Sequence, residues 1–441
     1  MNGWSLALEN FKSIRRLNLL EGRPLTFLVG PNNAGKSSIL QAILLLKGTL
    51  MAPETVLAFR NRWVDLGSYR DTVTMQYRQE GMAFRLELEG GVMVGKEGER
   101  ERVRFRVDGH EGVLQMREFE GSSSHYDEMA FFEQGGELFY EITTTQVRYQ
   151  RDENGTQHLG IVRDGKMSDR GVALWHGFLP IVELEAADAA ALRAGLLLPG
   201  PEGFRGEPWR SWPLITEWLT HLRYLPPLPA YPERVYAVRP IARLETGGAV
   251  EQAVQLLAQG QVEERLLGQL NRWLGSEGLG LVDELRIRRF PGREGFFVPE
   301  LRIGQNWISL RDTGLGVARS LPLVLESLLA ERGEMVLLEQ PELHLPPRVQ
   351  ERLGRFLSEM ARAGRWYLIE THSEALIQSV TACVREGLLP PDYVGLYFLS
   401  LNSEGMTTFQ EIPLDSEGRL PTASEWPAGF LSVPTLPFTY L

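Results

Sequence analysis

Apolar residues along the chain fall into three kinds of pattern, and each predicts a different architecture. Near the N-terminus "WSLALENF" and "PLTFLVG" read as two strands joined by a turn, and a glycine-bounded loop then leads into "KSSILQAILLLKG", which reads as a helix. From residue 70 to 165 the pattern switches to period two, in "TVTMQYR", "AFRLELEG", "RVRFRVDG" and "ITTTQVRYQRDENGTQHLGIVRDG". Asn154-Gly155 falls between two such runs, where a hairpin turn is expected, so this region predicts an antiparallel sheet. Residues 185 to 275 turn helical, in "ADAAALRAGLLL", "LITEWLTHLRYL" and "EQAVQLLAQGQVEERLLGQLNRWLG", interrupted by the proline-rich "YLPPLPAYPERVY". Two strands follow, "DELRIRRF" and "FFVPELRI", and then loop, helix, strand, loop, helix, strand from 310 to 372. Alternation of strand and helix at both ends, with a different middle, predicts one α/β core interrupted by a long insertion.

Composition narrows the setting. At 441 residues the chain exceeds what a single core usually sustains, so more than one packed unit is expected. A hydrophobic content of 43% and a charged content of 23% are those of an ordinary globular protein. The formal charge of −11 gives no global positive field for nucleic acid or an anionic membrane. Cys383 is the single cysteine, which excludes an intrachain disulfide or a cysteine-based zinc site and suits a reducing compartment. The N-terminal segment lacks a basic leader followed by an apolar core, and no run of 18 apolar residues occurs, so a cytoplasmic protein without a membrane span is expected.

The candidate chemistry begins at "GPNNAGKSS", Gly30 to Ser38. It fits G-x-x-x-x-G-K-S, directly follows an apolar strand and opens a helix. In such a loop Asn32, Asn33, Ala34, Gly35, Lys36, Ser37 and Ser38 present main-chain amides and a lysine to phosphates, and the Ser37 hydroxyl suits magnesium. "MVLLE" then delivers Glu339, a second candidate magnesium ligand, at the end of an apolar run, followed by Gln340, Pro341 and Glu342. A second apolar run, "WYLIETHS", ends near His372, which at the end of a buried strand can bond a phosphate or an attacking water. Gly314 and Gly316 precede a strongly apolar helix expected to begin near Val317, and amides at a helix start can bind phosphate. "LRIRRFPGR" offers Arg286, Arg288, Arg289 and Arg293 as contacts to nucleic-acid phosphates, although arginines also guard edge strands.

These segments carry a resemblance. With "ENFKSI", "VDLGSYRD", "NRWLGSEGLG", "DTGLGVARSLP", "LLEQPELHLPP", "IETHSEALI" and "GRLPTASEWPAGF", the chain resembles ABC-type ATPases of the RecF, SMC and OLD group. Among these it is most similar to single-chain bacterial AAA-family ATPases that serve as regulatory subunits in anti-phage defence. The resemblance implies a P-loop ABC-type α/β head with an antiparallel β subdomain and an inserted helical subdomain. Its segments are an N-terminal lobe at 1–70, a β-rich part at 71–185, a helical insertion at 186–280, a C-terminal lobe at 281–380 and a cap or docking tail at 381–441. It implies ATP and magnesium as ligands, with Glu339 organising the metal, Gln340 in the usual catalytic-glutamate place and His372 as the switch histidine. By the same resemblance Gly314 to Gly316 would be the signature loop of a head-to-tail homodimer. The chain departs from the group at Ala318-Arg319, where Ser-Gln is usual, at Pro226-Pro227-Leu228-Pro229, and at the proline after "PELHL".

An amide at 340 cannot act as a base but can orient water, and Glu342 can supply a carboxylate if the turn after Pro341 brings it back. The resemblance implies a slow ATPase that controls a separate effector, a nuclease or toxin; the alternatives are a RecF-like repair or maintenance ATPase with DNA as its partner, and a nucleotide-gated scaffold with negligible hydrolysis. No nuclease domain of the kind OLD relatives carry is expected after His372.

Overall fold

The computed structural model describes residues 3–51, 57–89, 213–227, 231–238, 250–258, 264–290 and 293–421, together with the backbone of the strands between 100 and 183. The chain divides into two compact units. One comprises Met1–Gly22, Ser37–Thr220 and Leu401–Thr408, and the other Arg23–Lys36, His221–Ser400 and Phe409–Leu441.

The first unit is built on an antiparallel sheet. Strand β1 (Gly3–Phe11) lies between β2 (Ile14–Glu21) and, after β3 (Leu25–Val29) has left for the other unit, β4 (Met82–Glu89). Eight further strands, β5 to β12, run between Arg100 and Glu183 and pair in sequence order, each antiparallel to the one before. The pairing includes the two runs flanking Asn154-Gly155, while that turn itself lies outside the described residues.

Two local expectations are corrected. The structure places β2 where the sequence pattern indicated only a turn. Its buried residues Ile14, Leu17 and Leu20 recur every third position; between the pairs Leu6↔Leu20 and Leu8↔Leu17, β2 carries one residue more than β1, and this bulge breaks the alternation from Leu17 to Leu20. "TVTMQYR" is not a strand. After the short helix α2 (Tyr69–Thr72), which follows α1 (Lys36–Leu50) along the chain, Met75–Glu80 forms a 3-10 turn, and the chain re-enters the sheet through Gly81 at φ +72°. Met75 is solvent-exposed, so the alternating pattern there has no face to bury.

Helix α3 (Pro213–His221) closes the unit, and the fully buried Lys47 of α1 donates to the carbonyls of Leu219 and Thr220 at 2.7 and 2.9 Å. A cation on the last carbonyls of a helix is favoured by the helix dipole.

The second unit carries a six-stranded sheet in the order β13 (Arg223–Leu225), β18 (Met335–Glu339), β19 (Trp366–Glu370), β3, β20 (Val394–Leu401), β21 (Thr407–Glu411). The first five are mutually parallel. Every residue of β3, β18 and β19 is buried, which is why "LTFLV", "MVLLE" and "WYLIE" read as continuous apolar runs. The smaller sheet of this unit contains β14 (Tyr236–Ala237), β15 (Glu284–Phe290), β16 (Arg293–Ile303) and β17 (Asn306–Ser309). Its helices are α4 (Val250–Ala258), α5 (Glu264–Leu274), α6 (Leu315–Leu329), α7 (Pro347–Arg362) and α8 (Glu374–Arg385). Leu321, Val324 and Leu325 of α6, Phe356 and Leu357 of α7, and Leu376 and Val380 of α8 share one core with β3, β18 and β19.

Arg223 anchors β13 to this core. Its guanidinium meets Glu326 at 2.6 Å and Glu334 at 3.1 Å, with all three side chains almost fully buried. Removing one partner from such a group leaves buried charge uncompensated, at a cost of about 3–5 kcal/mol. Arg223→Met is therefore expected to lower the denaturant midpoint of the unit clearly, read by circular dichroism; an unchanged midpoint would contradict the placement.

Candidate functional site

Parallel strands send their C-terminal ends to the same edge of a sheet, and β3, β18 and β19 bring the three motif segments there. β3 ends at Val29 and turns through Gly30 into the phosphate loop, β18 ends on Glu339, and β19 ends on Glu370. The ladder continues beyond the strands: Gln340 donates its amide to the Glu370 carbonyl at 2.7 Å, and Thr371 to that of Leu28 at 3.1 Å.

The phosphate loop needs its glycines. Gly30 sits at φ +138°, and a Cβ there would lie 2.0 Å from the Leu399 carbonyl oxygen of β20. Asn33 and Gly35 also take positive φ, +65° and +93°, while Ala34 is buried, Asn32 is exposed, and Ser37 and Ser38 enter the first turn of α1. Lys36 opens that helix. Only 3% exposed, it donates to the carbonyls of Gly30 and Pro31 at 3.0 and 2.7 Å. Burial pushes its ammonium pKa down, against the opposing pull of Glu370 first and Glu342 second.

Glu339 and Glu370 are register partners on adjacent strands, 8% and 4% exposed. Tyr224, the middle residue of β13, donates its hydroxyl to Glu339 Oε1 at 2.9 Å, and burial followed by the Glu339 charge raises the tyrosine pKa. Neither Glu370 nor Tyr224 was singled out by the sequence reading. Glu370 does carry the same signal as Glu339, four apolar residues and then a carboxylate.

Beyond Glu339 the chain bends sharply. Gln340 has φ +46° and is half-buried, and Leu343 donates back to its carbonyl at 3.1 Å. The turn does bring Glu342 back: its Oε1 accepts the main-chain N–H of His372 at 2.8 Å. Burial pushes the Glu342 carboxyl pKa up, opposed by that amide first, then by its own amide and the Thr371 hydroxyl, and last by the Arg319 charge. His372 itself is exposed, and its imidazole is held below its ordinary pKa by burial and by Lys36, so it is neutral at pH 7.

The glycine pair separates into two roles. Helix α6 begins at Leu315, two residues earlier than expected, because Val317 and Ala318 both bond the carbonyl of Gly314, its cap. Gly316 therefore lies within the first turn, where a Cβ would sit 2.7 Å from the His344 carbonyl oxygen and 2.9 Å from Leu345. It serves close packing of α6 on the acid turn. A Cβ at Gly314 would meet nothing within 4 Å, which leaves that residue accessible.

The arginine run on β15 is committed elsewhere. Arg286 and Arg288 share a face, and both pair with the single carboxylate of Glu300, at 2.8 and 2.6 Å. Arg286 also stacks on Trp307, and Arg289 donates to the Ala258 carbonyl. The side chain of Arg293 lies outside the described residues. β15 is the edge of its sheet, where such charges discourage strand pairing.

Residues 4–75 match the family model described as AAA ATPase domain. That segment contains β1, β2, β3, the phosphate loop and α1. No curated protein matches the chain. Among solved structures it is similar to the SMC head domain from Thermotoga maritima, at 13% identity and a TM-score of 0.36, covering 94% of this chain and 100% of that one. It is also similar to the SmcHead bound to the C-winged helix domain of ScpA, at 12% and 0.42, with 93% and 97% covered. A third is the Smc head domain with an extended coiled coil bound to the C-terminal domain of ScpA derived from Pyrococcus furiosus, at 12% and 0.39, with 93% and 96% covered. With TM-scores below 0.5, these likenesses add nothing to the site's own geometry. Among the described residues no helix is long and apolar enough to cross a membrane.

Proposed function

We propose that the chain is a slow ATP-hydrolysing switch of the ABC type, acting as the sensor or regulatory subunit of a bacterial anti-phage system. The observation that carries the hydrolytic reading is the gathering of Lys36, Glu339, Glu370, Glu342 and His372 at one sheet edge, with an amide at 340. ATP phosphates would take the amides of residues 32 to 36 and the Lys36 ammonium. The donor set suits magnesium bound with nucleotide. Glu339 is a buried carboxylate oriented by Tyr224, and such an ion takes one or two carboxylates along with phosphate oxygens. Ser37 and Glu339 would hold it, and it supplies neutralisation of phosphate charge.

Hydrolysis joins a water oxygen to the γ-phosphorus and breaks the bond to the bridging oxygen of ADP. Gln340 orients the water and Glu342 accepts its proton. Because the acceptor is a buried carboxylate two residues beyond the usual place, turnover is slow, below about 10 per second without an activator. Gln340→Glu puts a carboxylate at that place and is expected to raise turnover by at least about tenfold. An unchanged or lower rate in a phosphate-release assay would remove the water-orienting role of Gln340.

In this reading two copies pair head to tail, each offering Gly314 to ATP held by the other, and the ATP-bound dimer binds a nuclease or toxin. Of the cap or docking tail expected at 381–441, residues 422–441 lie outside the described residues. Purification from the native host in ATP, as wild type and Lys36→Ala, tests the switch. A nuclease or toxin retained only by the wild type supports it; DNA alone would favour a repair clamp.

A further inference from the structure

Strand β13 is only three residues long, yet two of its side chains grip the two ends of β18. The strands are parallel, with Arg223 beside Val336, Tyr224 beside Leu337 and Leu225 beside Leu338. Neighbouring residues of a strand point to opposite faces. Arg223 therefore turns to one face, where it meets Glu326 of α6 and reaches back to Glu334, the residue before β18. Tyr224 turns to the other. Glu339 lies two residues beyond Leu337 and so shares the face of Tyr224, whose hydroxyl donates to Glu339 Oε1 at 2.9 Å. Both side chains are 8% exposed. The main chain is held at the same point, because Arg319 of α6 donates to the Glu339 carbonyl. The last residue of the acid strand is thus fixed through its backbone by α6 and through its carboxylate by β13.

A buried tyrosine needs a partner for its hydroxyl and a buried carboxylate needs donors, so packing alone accounts for the contact. The atom it uses has a further consequence for a cation. With Oε1 engaged by a hydroxyl on a paired strand, the Glu339 carboxylate is restrained from rotating and from turning both oxygens fully toward one ion. Magnesium is small, demands near-octahedral surroundings and takes one or two carboxylates beside phosphate oxygens and water, whereas calcium gathers about six to eight oxygens and readily accepts both from one carboxylate. A carboxylate held by one oxygen suits the first ion and handicaps the second.

We propose that Tyr224 is a positioning residue that sets the metal preference of the site: by holding Glu339 Oε1 it favours magnesium over calcium beside the nucleotide. The inference rests on the reading of Glu339 as a magnesium ligand. Arg223, clamped between Glu326 and Glu334, keeps β13 and with it Tyr224 in register with β18.

The test is the affinity of the full chain for a fluorescent, non-hydrolysable ATP analogue, measured in saturating magnesium and again in saturating calcium, for wild type, Tyr224→Phe and Glu339→Gln. Wild type is expected to bind the magnesium complex more tightly. Tyr224→Phe keeps the ring and releases Oε1, so the calcium-to-magnesium ratio of dissociation constants should fall by about fivefold. A purely structural tyrosine would weaken both complexes alike. An unchanged ratio in Tyr224→Phe, or a wild type without preference, would overturn the proposal. Should Tyr224→Phe not fold, Tyr224→Met also lacks the donor and reads the same ratio. Glu339→Gln separates the two claims, since it keeps an acceptor for the tyrosine and loses the carboxylate charge. Weaker binding of the magnesium complex in that variant, beside an unchanged ratio in Tyr224→Phe, refutes only the role of Tyr224. Binding of wild-type strength in both metals refutes Glu339 as a metal ligand.

Discussion

Lys36→Ala is expected to weaken ATP binding by at least about 100-fold. Charge-assisted hydrogen bonds contribute about 1.5–3 kcal/mol each, and the ammonium can make more than one to the outer phosphates, so a loss near 3 kcal/mol corresponds to about two decades of affinity. A second contribution has the same sign. Glu370 and Glu342 both act on Lys36, and without it they face an incoming polyphosphate with their negative charge uncompensated. The Lys36 ammonium bonds the Gly30 and Pro31 carbonyls of its own loop, so its loss removes no hydrogen bond between distant elements, and the variant is expected to remain folded though less stable. Calorimetric titration with ATP and magnesium, beside a thermal melt of each protein, checks both statements. Wild-type affinity in Lys36→Ala would mean that the loop does not hold phosphates.

Glu339→Gln should lower turnover by about 100-fold or more while leaving the structure intact, since the amide oxygen can still accept the Tyr224 hydroxyl at Oε1. What disappears is the strand-end charge available to a bound metal, an electrostatic contribution of several kcal/mol to phosphoryl transfer. The defect should grow as magnesium is lowered, and high magnesium should restore part of the rate. A loss independent of magnesium would point instead to a role for Glu339 in packing against Tyr224.

How much of this is legible in the residues depends on how locally each part is encoded. The phosphate loop is contiguous, and its strand and helix flanks are visible in "PLTFLVG" and "KSSILQ", so Lys36 and its surroundings stand out at once. Glu339 and Glu370 are equally local, each closing a run of four apolar residues. Glu370 escaped notice because the histidine two positions on drew the chemical reading. Tyr224 reaches Glu339 across 115 residues of sequence, and only the parallel pairing of β13 with β18 puts them together. Arg319 looked like a departure from a family pattern, while its meaning lies in burial and in the Glu339 carbonyl. The distinction between Gly314 and Gly316 is likewise set by contact with the His344 carbonyl. β2 is hidden because its buried residues recur every third position, with a bulge between Leu17 and Leu20 that breaks the alternation.

The most direct test of the central claim is the rate of phosphate release from ATP by the purified protein, with and without magnesium, and with Lys36→Ala as reference. Magnesium-dependent release below about 10 per second, abolished by Lys36→Ala, is expected. Release that survives both the substitution and removal of magnesium, or no release from wild-type protein shown to bind ATP, would contradict it.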